Sequence, residues 1–169
     1  ETEGAQAQLI DVPGPIRTSS IYLEQVSNRV TVVNDAGHPM SKADWSATHE
    51  SIVAATESGD IVLVMGSFPP DLDPNSLVSL SDGIHNQGAE VLIDVNPQWL
   101  SASLSAKPDV VTPNVDEAEA ALRQGRADVM DSHILNFELT RERAEKAALE
   151  LCQRGARRAF VTAGEAGVA

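Results

Sequence analysis

The sequence predicts an α/β fold: a parallel sheet flanked by helices, preceded by a small exposed β-hairpin. Three observations carry this. From Asp60 onward, short apolar runs alternate with segments of helical period, and the connections are short. Each of those apolar runs gives way to small or polar residues, as strand ends do at the ligand-facing edge of an open parallel sheet. Residues 1–40 read differently, as β-branched segments around a tight turn, neither strongly apolar on both faces.

In chain order, residues 8–12 (QLIDV) alternate weakly and predict a short strand, stopped by Pro13-Gly14-Pro15. Residues 17–24 place Thr18, Ser20 and Tyr22 on one strand face and Ser19, Ile21 and Leu23 on the other. Ser27-Asn28 makes a turn into the β-branched residues 29–34 (RVTVVN), closed by Asp35-Ala36-Gly37. This hairpin is expected to be an exposed sheet or lid. At Ser41 the period changes. Ser41 is placed to cap a helix with Asp44 three residues on, and Trp45, His49, Ile52, Val53 and Thr56 follow at helical spacing up to a stop at Gly59.

Residues 60–65 (DIVLVM) are continuously apolar after the first, which predicts a strand covered on both faces. Gly66-Ser67-Phe68-Pro69-Pro70 ends it. Leu77, Leu80 and Ile84 mark a helix over 75–87, with Gly88 as its stop. Residues 90–94 (EVLID) form a buried strand, 98–105 a helix, 109–111 a brief strand and 115–123 an Ala- and Glu-rich helix. Residues 125–137 have no clear period and read as a loop. A helix follows over 140–154, capped by Thr140 and ended by Gly155, then a strand over 159–162 and a turn over 164–167. Residues 1–40 thus form a lid portion and 41–169 an α/β core.

Composition narrows the function. Twelve Lys and Arg against 25 Asp and Glu give a net charge of −13, a field that repels nucleic acid and anionic membrane. A phosphate-bearing ligand must then be held by local devices: a single Arg, a helix N-terminus or a bridging Mg²⁺. Cys152 is the only cysteine, which excludes an intrachain disulfide and a thiolate zinc cluster and fits a reducing cytoplasm. Six aromatic residues leave little for stacking bases. The longest strictly apolar run, 61–65, is far too short to cross a bilayer, and the acidic start Glu1-Thr2-Glu3 does not resemble a signal peptide. The chain does not start with Met, so a processed chain or an internal piece is expected.

The candidate chemistry lies after the strands. Gly66 and Ser67 either cradle an anion, through backbone approach and a hydroxyl donor, or form an ordinary Pro-stopped loop. Asn114-x-x-Glu117 puts an amide and a carboxylate in the first turn of a helix, as an N-terminal cap, as a carboxylate facing hydrated Mg²⁺, or as both. Asp94 at a strand end is either a metal ligand or a loop cap. Thr162-x-Gly164-x-x-Gly167 either lets phosphates approach backbone amides or makes a β-turn. Arg17 is one of few cations in the first forty residues and is by spacing alone a solvated surface charge. His38, His49, His85 and His133 lack metal-like pairing; His49 and His85 read as helix-face residues, and Cys152 as inert. No GxSxG, HExxH or Walker A element is present.

Taken together and in order, IRTSSIYLE, VTVVNDAG, GSFPP, LIDVNP, TPNVDEAE and VTAGEAG resemble the PfkB-type carbohydrate kinases of the ribokinase superfamily. The resemblance spans nearly the whole chain. Arg17-Thr18, the NDAG turn and GSFPP incline it toward the members that act on sugar phosphates. It implies a ribokinase-like sandwich with a small β-lid that often mediates dimers, so a homodimer through the lid is expected. It implies transfer of the ATP γ-phosphoryl group to a hydroxyl of a phosphorylated ketohexose. By the same resemblance Arg17, Gly66 and Ser67 bind the sugar phosphate, and Glu117 and Asp94 belong to the Mg²⁺ network. Asn114, Thr162, Gly164 and Gly167 line the nucleotide site. The sequence departs from the family at Asp71, where a Gly usually follows the two prolines, and at Thr112, where a Lys is common. It also contains no glycine-rich G-A-G-D segment, whose Asp is the family's proton acceptor. The resemblance therefore implies an internal segment of a kinase roughly twice this length, which transfers no phosphate by itself. A kinase of an unphosphorylated substrate (ribose, a nucleoside, ketodeoxygluconate) and a non-catalytic binding domain of the same fold are the rival readings.

Overall fold

The computed structural model describes residues 4, 7–27, 29–123 and 137–169. The chain divides into two compact units. One comprises Glu1–Ser51 and Phe68–Leu72, the other Ile52–Ser67 and Asp73–Ala169.

In the first unit, strands β1 (Ser19–Glu24) and β2 (Arg29–Asn34) pair antiparallel, with Ser20 opposite Val33 and Leu23 opposite Val30. Cross-strand pairs of β-branched residues stabilise such a ribbon. Its open end is held by a Ser19–Asn34 side-chain hydrogen bond and by the Asp35 N–H donating to the Thr18 carbonyl at 3.0 Å. At the turn, Glu24 accepts from the Ser27 hydroxyl (2.6 Å) and pairs with Arg29 (3.1 Å). These two contacts, Ser27 first, hold its carboxyl below the ordinary value. Every residue of both strands is exposed, in keeping with a lid-like hairpin. Ser27 lies in the turn and Asn28 falls outside the described residues. Residues 8–12, expected as a strand, are irregular and exposed; their alternation is too short to outweigh the lack of a pairing partner.

Helix α1 (Lys42–Ala55) begins where expected. The Ser41 hydroxyl accepts from the Asp44 N–H at 3.1 Å and donates to the Asp44 carboxylate at 2.5 Å. The helix stops before Gly59. Thr56 closes it, with its N–H on the Val53 carbonyl and its hydroxyl on the Ile52 carbonyl.

The second unit is a parallel sheet flanked by helices. Strands β3 (Ile61–Gly66), β4 (Glu90–Val95) and β5 (Val110–Val111) lie in the order β3-β4-β5. Residues 159–162 continue the sheet through single parallel bridges, Val111 with Ala159 and Asn114 with Thr162, and not as a full strand. Helices α2 (Asn75–Asn86), α3 (Pro97–Ser103), α4 (Val115–Leu122) and α5 (Phe137–Arg154) complete the unit. Leu77, Leu80 and Ile84 of α2 and Leu100 of α3 are buried with Val91, Ile93, Val111 and Val161 of the sheet. Each such side chain contributes about 1.5–3 kcal/mol when removed from water.

The outcome for β3 differs from expectation. Ile61, Leu63 and Met65 remain 57–61% exposed, while Val62 and Val64 are half-buried. The apolar run correctly marks a strand, but composition does not say how many layers cover it. The parallel register puts Leu63 beside Leu92 and Met65 beside Asp94, on the face away from Ile93.

Helix α5 starts at Phe137, three residues ahead of the expected cap, so Thr140 lies inside it. Residues 125–136, expected as a loop, lie outside the described residues, as does His133. Gly155 ends α5 as expected, with a left-handed φ of +139°. It also packs closely: a Cβ there would sit 2.1 Å from the Leu104 carbonyl oxygen.

Buried polar groups reinforce this layer. Asp109, 1% exposed, accepts from the Val91 N–H (2.9 Å) and from Arg157 (2.7 Å) and meets His85 Nε2 at 2.9 Å. Burial works to raise its pKa. The Val91 N–H, His85 and Arg157 together outweigh that and hold the carboxyl below its usual range. His85, expected as a plain helix-face residue, is thus a partner of a carboxylate from β5's leading edge. Arg143 of α5 grips Glu119 of α4 bidentately (2.8 and 2.9 Å) and reaches Asp116 at 2.8 Å. This contact lowers the Glu119 pKa and raises that of Arg143.

Candidate functional site

Because β3, β4, β5 and the 159–162 segment all run parallel, their carboxyl ends open on one edge. The registers place the candidates there. Gly66 stands opposite Val95, so Ser67 and Asp94 flank the same rung, and Asn114 bridges to Thr162. Adjacent strands are spaced about 4.8 Å apart, so Ser67, Asp94, Asn114 and Thr162 line a rim about 14 Å long. Arg17 belongs to the other unit.

Each residue has a local reason for its position. Gly66 ends β3 with a φ of +94° and nothing within 4 Å of where a Cβ would lie, so backbone conformation, not crowding, calls for glycine. Ser67 is exposed. Asp94 is the fifth residue of β4 and half-buried.

Asn114 caps α4 through a reciprocal box. Its Oδ1 accepts from the Glu117 N–H (2.9 Å), and Glu117 Oε2 accepts from the Asn114 N–H (3.0 Å). The Val115 N–H is already taken by the Thr162 carbonyl at 2.9 Å, and the Thr162 N–H donates to Pro113 at 3.0 Å. The Asn114–Thr162 end of the rim is therefore stitched by backbone. Thr162, Gly164 and Gly167 form a tight antiparallel return: Thr162 bridges to Val168, and residues 164–166 make one 3-10 turn. The segment is a tight turn. Both glycines have positive φ, +57° and +99°, and face open space.

In the first unit, Arg17 Nε donates to the Asp35 carbonyl at 2.7 Å, which fixes the guanidinium by one of its three nitrogens. Its aliphatic stem lies against Gly37, with Cδ 3.6 Å from the position of a Cβ there. The resemblance alone singles Arg17 out; its spacing does not.

The chemistry of the α4 start discriminates between ligands. Its first turn carries Asp116 and Glu117, and two of its leading N–H groups are already engaged. The carboxylates already fill the anion-favouring end of the helix and leave little there for a bare phosphate. Among the described residues no group of three or more His, Cys, Asp or Glu forms a metal cage. Mg²⁺ commonly takes only one or two protein carboxylates, the rest of its shell being water and phosphate oxygen, so Glu117 and Asp94 are a fitting donor set.

Other contacts in the chain left no trace in the periodicity. Trp45 and Phe68 meet edge to face in the first unit, with centroids 6.1 Å apart. Two aromatic residues 23 positions apart leave no local signal. Asn96 caps α3 by accepting from the Trp99 N–H, which the Asn-Pro pair after a strand does signal. A cavity of about 500 Å³ between α4 and α5 is lined by Glu119, Leu122, Arg143 and Ala147 among others, and by none of the candidate residues.

Comparison with known proteins bears on this geometry. Residues 7–169 match the pfkB family carbohydrate kinase. A 1-phosphofructokinase of Rhodobacter capsulatus is 30% identical over 112 residues, which is 66% of this chain and 35% of that protein. The Vibrio cholerae 1-phosphofructokinase is 24% identical across 92% of this chain and 49% of its own length. The chain thus spans between a third and a half of these relatives. The crystal structure of phosphofructokinase-2 from Escherichia coli in complex with fructose-6-phosphate superposes with a TM-score of 0.69 at 24% identity, covering 89% of this chain and 46% of that one. That likeness establishes the fold.

Proposed function

The chain belongs to the pfkB family of carbohydrate kinases, and from that premise we propose that it is part of an enzyme that phosphorylates a sugar phosphate. The phosphoryl donor in this reading is ATP and the acceptor a hydroxyl of a phosphorylated ketohexose. The observation that carries it is the shared rim, on which Ser67, Asp94, Asn114 and Thr162 end parallel strands or follow them. The names of the relatives, 1-phosphofructokinase above all, point the same way.

Ser67 donates its hydroxyl to the phosphate the substrate already bears, and Arg17 from the lid supplies the neutralising charge. A chain of net charge −13 needs such a local cation to hold an anion. Glu117, braced by the capping box, and Asp94 hold hydrated Mg²⁺. Thr162, Gly164 and Gly167, with Asn114, line the nucleotide's phosphates. When bound, Mg²⁺ offsets charge on the β- and γ-phosphates of ATP, and phosphoryl transfer needs little beyond that and alignment. Among the described residues no helix is long and apolar enough to cross a membrane. Ile21, Leu23, Val30 and Val32 share one exposed face of the hairpin and support self-association through the lid.

Calorimetric titration of the chain with fructose 1-phosphate, fructose 6-phosphate and fructose tests the reading. Binding of a phosphorylated sugar, but not fructose, weakened at least tenfold by Ser67→Ala and by Arg17→Ala, is the expected result. Binding that ignores Arg17→Ala favours a kinase of an unphosphorylated substrate. No binding of either sugar phosphate overturns the proposal.

A further inference from the structure

Helix α4 is pinned at its start but not in its orientation. The Val115 N–H donates to the Thr162 carbonyl at 2.9 Å, and the Asn114–Glu117 box closes the first turn. These bonds set where the helix begins. A helix of eight residues has little stability of its own, so its rotation about its axis depends on what it packs against. Its neighbour is α5, and the buried surface of both helices is rich in alanine: Ala118 and Ala121 on α4, Ala144 and Ala147 on α5. Methyl side chains form shallow ridges, which resist rotation less than long side chains do. Arg143 supplies the constraint that the alanines do not. Its Nε and Nη2 donate to the two Glu119 oxygens at 2.8 and 2.9 Å, and Nη2 also donates to Asp116 Oδ1 at 2.8 Å. Asp116 and Glu119, three positions apart, share one side of α4. Glu117 follows Asp116 and is turned about 100° from it around the axis. With Asp116 and Glu119 clamped to α5, the direction of Glu117 is set as well. Every residue in this chain of contacts belongs to the second unit.

We propose that Arg143 is a positioning residue for Mg²⁺-nucleotide binding: by gripping Asp116 and Glu119 it holds α4 in the rotation that turns Glu117 toward the rim. The inference rests on the assignment of Glu117 to Mg²⁺ proposed above and adds a residue from a different helix. Arg143 touches neither metal nor nucleotide. It acts through Glu117, so its effect falls on the gain in ATP affinity that Mg²⁺ brings. A residue that merely stabilised the unit would affect ATP binding equally with and without the metal.

The test is calorimetric titration of the 169-residue chain with ATP, once with Mg²⁺ and once with EDTA. The variants are Glu117→Gln, Arg143→Met, Arg143→Lys and the pair Glu117→Gln with Arg143→Met. Arg143→Met is expected to weaken Mg²⁺-ATP binding about fivefold to tenfold and to leave metal-free ATP binding within about twofold of the parent. Arg143→Lys keeps the charge but cannot span both Glu119 oxygens, so it is expected to weaken Mg²⁺-ATP binding about threefold. It decides the matter if Arg143→Met does not fold. The pair is expected to bind no more weakly than Glu117→Gln alone, because both changes act through one carboxylate. If Glu117→Gln weakens Mg²⁺-ATP binding but the Arg143 variants bind as the parent does, the positioning role is overturned and the kinase reading stands. Losses of equal size with and without Mg²⁺ in the Arg143 variants overturn it too, leaving Arg143 a purely structural residue. If Glu117→Gln binds Mg²⁺-ATP as the parent does, or the parent binds none, the assignment of Glu117 falls and the role of Arg143 with it.

Discussion

Asn114 and Glu117 hold each other at the start of α4, each side chain accepting from the other's backbone N–H at 2.9 and 3.0 Å. One pair of residues thus has a structural task and, in the proposed function, a ligand-binding one. The two tasks separate by substitution. Asn114→Ala is expected to cost about 1 kcal/mol of stability through loss of the cap. Glu117→Gln keeps an oxygen able to accept from Asn114 and so is expected to change stability by less than about 0.5 kcal/mol. Its binding of Mg²⁺-ATP should nevertheless fall at least tenfold, because the charge is gone. Calorimetric titration showing equal Mg²⁺-ATP affinity in Glu117→Gln and the parent would remove Glu117 from the metal site.

Asp109 should dominate the acid stability of the second unit. Its carboxyl is buried and titrates below its unfolded value, so the contribution is complete above the unfolded pKa of about 4 and is lost as pH falls through the lower folded value. Asp109→Ala strands the Val91 N–H and removes the partner of His85 and Arg157, for an expected loss of about 2–4 kcal/mol at pH 7. Arg157→Ala, whose side chain is 66% exposed, should cost less than about 1 kcal/mol. Urea denaturation at pH 7 and at pH 3 distinguishes them. Similar losses from the two substitutions would contradict this account.

The α4–α5 contact depends on the planar fork of Arg143. Arg143→Lys keeps the charge but cannot reach both Glu119 oxygens, and about 1 kcal/mol should be lost in a thermal melt. A melt identical to the parent's would show the bidentate geometry to be incidental.

Two glycines with positive φ should respond differently to Ala. Gly155→Ala drives a methyl into the Leu104 carbonyl as well as straining the backbone, and more than about 2 kcal/mol is expected to go. Gly164→Ala meets open space at a φ of +57°, where the left-handed penalty alone, about 1 kcal/mol, applies. Paired chemical denaturation curves check the ordering, and a smaller loss at Gly155 would reverse it.

The legibility of the chain follows the range of the forces involved. The two hairpin strands, the Ser41 cap, the helix over Leu77, Leu80 and Ile84, and the Asn114 box all rest on residues a few positions apart, and each could be read from the string of letters. So could the parallel sheet, because alternation of apolar runs with helical period leaves few topologies. The start of α5 was misplaced because Thr140 is as good a helix-interior residue as a cap when the turn before it also folds.

What the sequence by itself determined, then, is the order and kind of most elements, the expected strand over 8–12 and the full strand over 159–162 excepted, and the polar character of every strand exit after Asp60. Tertiary structure alone decided that Asp109 meets His85 and Arg157, that Trp45 finds Phe68, and that one face of β3 stays exposed. The reason is physical: hydrogen bonds within a helix or a turn act over a few residues and are written locally. Burial and strand neighbourhood depend on segments up to 68 positions apart in sequence, as Glu90 and Arg158 are, and exist only once the chain has folded.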